Sequence, residues 1–253
     1  MLQEIFLGHF SPTGGTRRTA NILAQALAER VLELDLSVEA VPKTEFGEHD
    51  VVILAAPVFG GRTPAAMLDN VKMLQGHNTK AILVAVYGNR AYDDALLELS
   101  DVASAQGFKV VAALGLIAEH SLLRTVASGR PDTADEAEIK EFALQILDKL
   151  KLSETAELVI PGKRPYKEWQ PMQLMFDIAD SCNECGMCER LCPTKAIPSD
   201  AVQSLLSGKC TVCMRCVVIC PKQARSLPKQ VQAGLEERLG ALKNVRRNNE
   251  LLV

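Results

Sequence analysis

The sequence predicts an α/β chain: a five-stranded, parallel, doubly wound sheet followed by a small α+β module. Two observations predict it. Five apolar or β-branched runs alternate with amphipathic helical segments in the N-terminal part, and all eight cysteines lie between positions 182 and 220. A chain of 253 residues has room for two such units, since domains usually hold about 100–150 residues. The expected boundaries are 1–152 for the sheet, 153–173 for a linker, 174–228 for the cysteine module and 229–253 for a terminal amphipathic helix.

The five runs are residues 5–8, 38–41, 51–56, 81–87 and 110–117. Continuous apolar stretches of this kind suit strands covered on both faces. Between them, Ile22, Leu23, Ala26 and Leu27 share one helical face, and Leu96, Leu99, Val102 and Ala103 share another. A last helix carries Ile139, Phe142, Ala143, Ile146, Leu147 and Leu150 at spacings of three and four. This βαβα alternation implies a parallel sheet wound in both directions. Such a fold gives no function by itself; ligands bind at the loops beyond the carboxyl ends of its strands.

Three of those loops are informative. The first, Ser11-Pro12-Thr13-Gly14-Gly15-Thr16, leads straight into a helix. Hydroxyls and amides at a helix N-terminus make a phosphate cradle without a lysine, although a turn with a helix cap at Thr16 also accounts for them. Neither the dinucleotide motif GxGxxG nor the nucleotide motif GxxxxGK[ST] occurs here. The second loop is Ala56-Pro57-Val58-Phe59-Gly60-Gly61-Arg62-Thr63-Pro64, and the third is Tyr87-Gly88-Asn89-Arg90-Ala91-Tyr92-Asp93.

Taken in order, each after its strand, the three loops resemble those of flavodoxins. The resemblance implies bound FMN, with its phosphate at Ser11, Pro12, Thr13, Gly14, Gly15 and Thr16. It also implies Phe59 against the ring, within Pro57, Val58, Gly60 and Gly61, and the far side closed by Tyr87, Gly88, Asn89 and Tyr92. Ordinary packing is the competing account of each aromatic. Gly15 stands where flavodoxins commonly have asparagine, and Arg17 and Arg18 add cations expected to attract the phosphate.

The cysteines fall into Cys182-x2-Cys185-x2-Cys188-x3-Cys192-Pro193 and Cys210-x2-Cys213-x2-Cys216-x3-Cys220-Pro221, a repeat offset by 28 residues at every matched position. A cubane cluster needs four thiolates at tetrahedral corners, and cysteines three apart on a looping segment can supply three of them. The chain then turns away into a short helix, so the fourth cysteine points to the other cluster. The expected sets are Cys182, Cys185, Cys188 with Cys220, and Cys210, Cys213, Cys216 with Cys192. Pro193 and Pro221 fix φ as each loop leaves its cluster, at no cost if they open helices, and Gly186 lets amides approach sulfur. Zinc also accepts four cysteines, but structural zinc usually takes two separated C-x2-C pairs. Disulfides suit secreted domains, whereas no basic, apolar leader is visible at the N-terminus. The repeat resembles bacterial ferredoxins with two [4Fe-4S] clusters over about residues 174–228. The arrangement as a whole resembles fused flavodoxin-ferredoxin proteins.

The resemblance implies an electron-transfer protein holding FMN and two [4Fe-4S] clusters. Its partner is expected to be a redox protein or a small-molecule acceptor. An FMN-dependent reductase with its own substrate and a zinc-stapled binding module are the alternatives. A net charge of −3, with no basic cluster, argues against nucleic acid. No apolar run approaches the roughly 20 residues needed to span a bilayer, so a cytoplasmic location is expected. Residues 121–135 are assigned no role, and the apolar linker residues Trp169, Met172, Leu174, Met175 and Phe176 are expected to dock on one domain. Val231, Leu235, Leu239 and Leu242 share a helical face that is expected to pack on the body or on a second subunit.

Overall fold

The computed structural model describes residues 1–152, 158–171, 173–206 and 208–253. The expected start of the linker and Met172 therefore lie outside the described residues. In chain order the first unit contains β1 (Leu2–His9), α1 (Gly15–Leu27), β2 (Ala28–Asp35), β3 (Thr44–Phe46), β4 (Val51–Pro57), α2 (Ala65–Val71), β5 (Leu74–Gly76), β6 (Thr79–Tyr87), α3 (Ala95–Ala105), β7 (Phe108–Ile117) and α4 (Thr133–Leu150). The second contains β8 (Asp177–Ile178), α5 (Met187–Arg190), α6 (Arg215–Val218), β9 (Arg225–Ser226) and α7 (Lys229–Leu239), after which a 3₁₀ turn leads to β10 (Glu250–Leu252).

The main sheet has the order β10-β7-β6-β4-β1-β2. Its parallel strands run second, first, third, fourth, fifth in sequence, which is the flavodoxin-like doubly wound order, with the switch point between β1 and β4. Every residue of β4 is buried, as its uninterrupted Val-Val-Ile-Leu-Ala-Ala-Pro sequence requires of a central strand. One core lies under α1 and α4, built on Leu23, Leu27, Ile139 and Ile146. The other lies under α2 and α3, around Phe46, Met67, Leu96 and Leu99.

Three expectations are corrected. The second strand is not residues 38–41: α1 ends at Leu27, Ala28 is already extended, and the chain runs directly into β2. As an edge strand beside β1 alone, β2 carries Glu29, Arg30, Glu33 and Asp35 and lacks the continuous apolar run of a central strand. The terminal segment is not one helix. Only residues 229–239 are α-helical, and after the 3₁₀ turn the chain returns to the first unit as β10, paired antiparallel to β7. Pro193 and Pro221 open turns, not helices, with the amides of Lys195 and Gln223 donating back to the carbonyls of Cys192 and Cys220.

Helix α7 packs on its own chain: Leu235 joins Phe176, Val212, Met214 and Leu227 in a third core beneath the cysteine module. The linker is docked on the first unit. Asp94 accepts from the amides of Lys163 (2.9 Å) and Lys167 (2.6 Å), Arg62 donates to the Lys167 carbonyl (2.8 Å), and its guanidinium lies 4.8 Å from the Tyr166 ring centroid. The buried Glu98 carboxylate holds Arg62 in turn.

Candidate functional site

A cleft runs from the loop after β1 to the cysteine module. At one end it is lined by Pro12, Thr13, Gly15, Thr16, Pro57 and Cys213. Its wider part, about 360 Å³, is lined by Gly60, Gly61, Trp169, Thr211, Val212 and Arg238, among others. Val58, Phe59, Tyr87, Gly88, His120 and Ser121 line both parts.

The local chemistry of the narrow end follows from the first loop. Gly14 at φ 89° turns the chain into α1, and the Ser11 hydroxyl accepts from the Arg17 amide at 2.9 Å. Among the described residues, the amides of Thr13, Gly15 and Thr16 have no protein acceptor. They stand at the positive end of a 13-residue helix. The two arginines turn away from this loop, correcting their expected role. Arg17 donates to Glu33 at 2.6 Å, holding that carboxyl down at about 2, and Arg18 donates to the Pro131 carbonyl at 2.8 Å.

Of the residues expected at the cofactor, Pro12, Thr13, Gly15, Thr16, Pro57, Val58, Phe59, Gly60, Gly61, Tyr87 and Gly88 line the cleft. Ser11 and Gly14 shape the loop without lining it. Asn89 and Tyr92 are elsewhere. Asn89 is fully buried and donates to the carbonyls of Leu242 (3.1 Å) and Val245 (2.7 Å), so its amide clamps the C-terminal tail. Tyr92 packs edge-on against Tyr87 in the core and donates to Glu250 at 2.7 Å; burial, then this bond, pushes its hydroxyl above the ordinary range. A sequence reading cannot tell which face of a strand-end loop an aromatic takes.

Other cleft residues lie outside the three expected loops, among them Trp169 from the linker, His120 and Ser121 from the loop after β7, and Thr211 from the cysteine module. Among the described residues, the buried Thr211 hydroxyl has no nitrogen or oxygen partner. Trp169 carried a signal in the sequence, as the only tryptophan and as one of the apolar residues of the linker.

The cysteines gather into two cages. Cys182, Cys185, Cys188 and Cys220 surround one small cavity, and Cys192, Cys210, Cys213 and Cys216 surround another. These are the crossed sets that the spacing implies. The repeat is also a repeat of backbone shape: Glu184 and Val212, Gly186 and Met214, and Lys195 and Gln223 all have positive φ, from 48° to 71°, at matched positions. Amides point at sulfur in both copies, with Ala196 donating to Cys192 Sγ and Ala224 to Cys220 Sγ, each at 3.3 Å. Burial pushes the Cys213 thiol up to about 11 and the Cys216 thiol up to about 12. Thiolates at these positions therefore need a cation inside the cage to offset desolvation. Among the described residues, no three His, Cys, Asp or Glu side chains form a shell for a single metal ion.

Beyond α7, the tail ties the cysteine module to the sheet. Arg246 pairs with Asp132 at 2.7 Å, Arg130 donates to the Arg247 carbonyl at 2.8 Å, and Asn249 accepts from the Ile117 amide at 2.8 Å. Nearer the cleft, Arg215 of α6 reaches the Ser37 carbonyl at 3.4 Å, while the Ser37 hydroxyl accepts from the Ser11 amide at 2.6 Å. No described helix is long and apolar enough to cross a membrane.

Residues 174–227 match a family model described as a 4Fe-4S dicluster domain. Over 43 residues the chain is 44% identical to YccM of Escherichia coli (strain K12), a protein named for electron transport; the match covers 17% of this chain and only 12% of that relative. Among solved structures, oxidised flavodoxin 1 of Bacillus cereus is 18% identical with a TM-score of 0.43, covering 60% of this chain and all of its own. The flavodoxin of Streptococcus pneumonia TIGR4 is 17% identical with a TM-score of 0.41, covering 58% of this chain and 99% of its own. The chain thus joins a flavodoxin-like sheet, given by its own strand order, to a segment matching the 4Fe-4S dicluster family.

Proposed function

We propose that the chain is an electron carrier that holds FMN in the cleft and a [4Fe-4S] cluster in each cysteine cage, relaying single electrons between them and on to a redox partner. One observation carries the reading. Cys213 lines both the second cage and the narrow end of the cleft, so a single residue belongs to both sites.

The residues present fit these groups. The free amides of Thr13, Gly15 and Thr16 would hold the phosphate at the start of α1. Phe59, Tyr87 and Trp169 offer apolar walls for the ring in a cavity of about 360 Å³, within the roughly 300–1,000 Å³ typical of ligand sites. When bound, each cluster supplies one-electron chemistry and FMN supplies one- or two-electron chemistry. The protein's part is to fix the separation, exclude water and set potentials. The amides on Cys192 and Cys220 stabilise negative sulfur, which favours the reduced state.

The test is an absorbance spectrum of anaerobically purified protein with iron, sulfide and flavin quantified in the same sample. About eight irons and one FMN per chain are expected. Zinc in place of iron would overturn the reading in favour of a metal-stapled binding module. A second reading, an FMN-dependent reductase with its own small-molecule substrate, is favoured by the exposed cation Arg238 on the cleft wall. Steady-state turnover with NAD(P)H or quinones separates it from a carrier.

A further inference from the structure

His120 lines both parts of the cleft, and its backbone amide and one ring nitrogen are already engaged. Its loop is fixed from both sides. The Ala118 amide donates to the Tyr87 carbonyl, the Glu119 amide to the Arg130 carbonyl, and the His120 amide to the Val126 carbonyl, each at 3.1 Å. The ring is pressed against Gly88 so closely that a methyl group there would overlap it. Nδ1 accepts from two amides, those of Leu122 at 3.2 Å and Leu123 at 3.1 Å.

That geometry settles the tautomer. A nitrogen accepting two amide protons carries none itself, so the neutral ring bears its proton on Nε2. Burial, and then the nearby Arg90 charge, lowers the His120 pKa below its ordinary value of 6.5, so the ring is neutral at pH 7. Among the described residues Nε2 has no partner, and it is not one of the sealed, unpartnered polar atoms. It therefore keeps solvent exposure, on a side chain that lines the cleft.

We propose that His120 is a cofactor-binding residue whose Nε2–H donates a hydrogen bond to an acceptor on the edge of the bound isoalloxazine. The inference rests on the FMN reading above and adds a residue that the loop resemblance does not supply. A neutral donor held in place costs little to reorient. It also strengthens its bond as the ring gains electrons and its edge atoms become more negative, so it should raise the potential of bound FMN as well as its affinity.

Two substitutions separate this role from a purely structural one. His120→Asn keeps an acceptor near the Nδ1 position for the Leu122 and Leu123 amides but removes the Nε2 donor. His120→Gln places an amide N–H near the Nε2 position and gives up the acceptor for the turn. FMN is titrated into apo-flavin protein with intact clusters, following flavin fluorescence, and the bound flavin is then titrated electrochemically. His120→Asn should bind FMN about 3- to 10-fold more weakly, the worth of one net hydrogen bond, and show a lowered flavin potential. His120→Gln should retain most of both. In wild type, FMN should shift the ¹⁵N resonance of His120 Nε2, a readout that requires no variant to fold.

If His120→Asn matches wild type in affinity and potential and the Nε2 resonance does not move, the ring serves only the turn and the proposal falls. A wild-type chain that takes up no FMN overturns the flavin reading itself, and this proposal with it.

Discussion

Trp169 packs on Gly60 so closely that a methyl group on Gly60 would fall inside the indole. Gly60 sits at φ 61° in the loop after β4, so both its backbone and its neighbour demand a residue without Cβ. The contact brings a linker residue to the wall of the cleft.

Gly60→Ala should therefore expel the indole. Trp169 is the only tryptophan, so its emission reports the site alone and should shift to the red in the variant. FMN uptake should weaken about tenfold, the scale of one lost aromatic contact. Unchanged emission would refute the packing described.

The crossed cages predict which substitutions behave alike. Cys192→Ser should resemble Cys213→Ser, because both residues line one cage, and Cys220→Ser should resemble Cys185→Ser. Each should leave about four irons per chain, and the electron paramagnetic resonance signal lost should sort by cage. Sorting by sequence half, with Cys192→Ser resembling Cys185→Ser, would contradict the crossing.

Gly186 and Met214 occupy matched positions of the repeat at φ 71° and 65°. Gly186→Ala imposes on the first copy the left-handed cost that Met214 already bears. The expected loss is about 1 kcal/mol, read from denaturation of the cluster-loaded chain.

Removing one member of a buried ion pair strands the other. Arg62→Met leaves the Glu98 carboxylate, 7% exposed, without its cation and frees the Lys167 carbonyl. A destabilisation of about 3 kcal/mol is expected, together with faster proteolysis between residues 163 and 171. Wild-type stability and protection would show that the linker is held elsewhere.

The tail contacts predict an acid dependence. Arg246 holds the Asp132 carboxyl below its ordinary value of 3.8. Burial opposes ionisation of Asp135, but Arg130 and other donors outweigh it, and its value is also lowered. Carboxyls lowered in the fold stabilise it fully above their ordinary value and lose that contribution as pH falls through the folded one. The Tm of wild type should drop on acidification below pH 3.8. Asp132→Asn, which keeps a helix cap for α4, should show a shallower drop. Parallel profiles would remove Asp132 from the account.

What the sequence disclosed follows the range of the forces involved. β1, β4, β6 and β7 were visible through the buried apolar stretches that strands covered on both faces require, and the cage sets through the repeated cysteine spacing. β2 was misplaced because an edge strand is free to carry charge. β10 is three residues long and pairs with a strand more than a hundred positions earlier. The roles of Asn89, Tyr92, Trp169 and His120 depend on which segments meet in space, and local pattern does not encode that.

The last row of hydrogen bonds in the N-terminal sheet is made by residues 250–252. During synthesis the rim of β7 therefore stays uncovered until residues 250–252, which follow the cysteine segment, have been made and have docked on it. Unpaired rims recruit other chains. The return of the chain to β7 thus closes an edge that residues 1–152 alone would leave open.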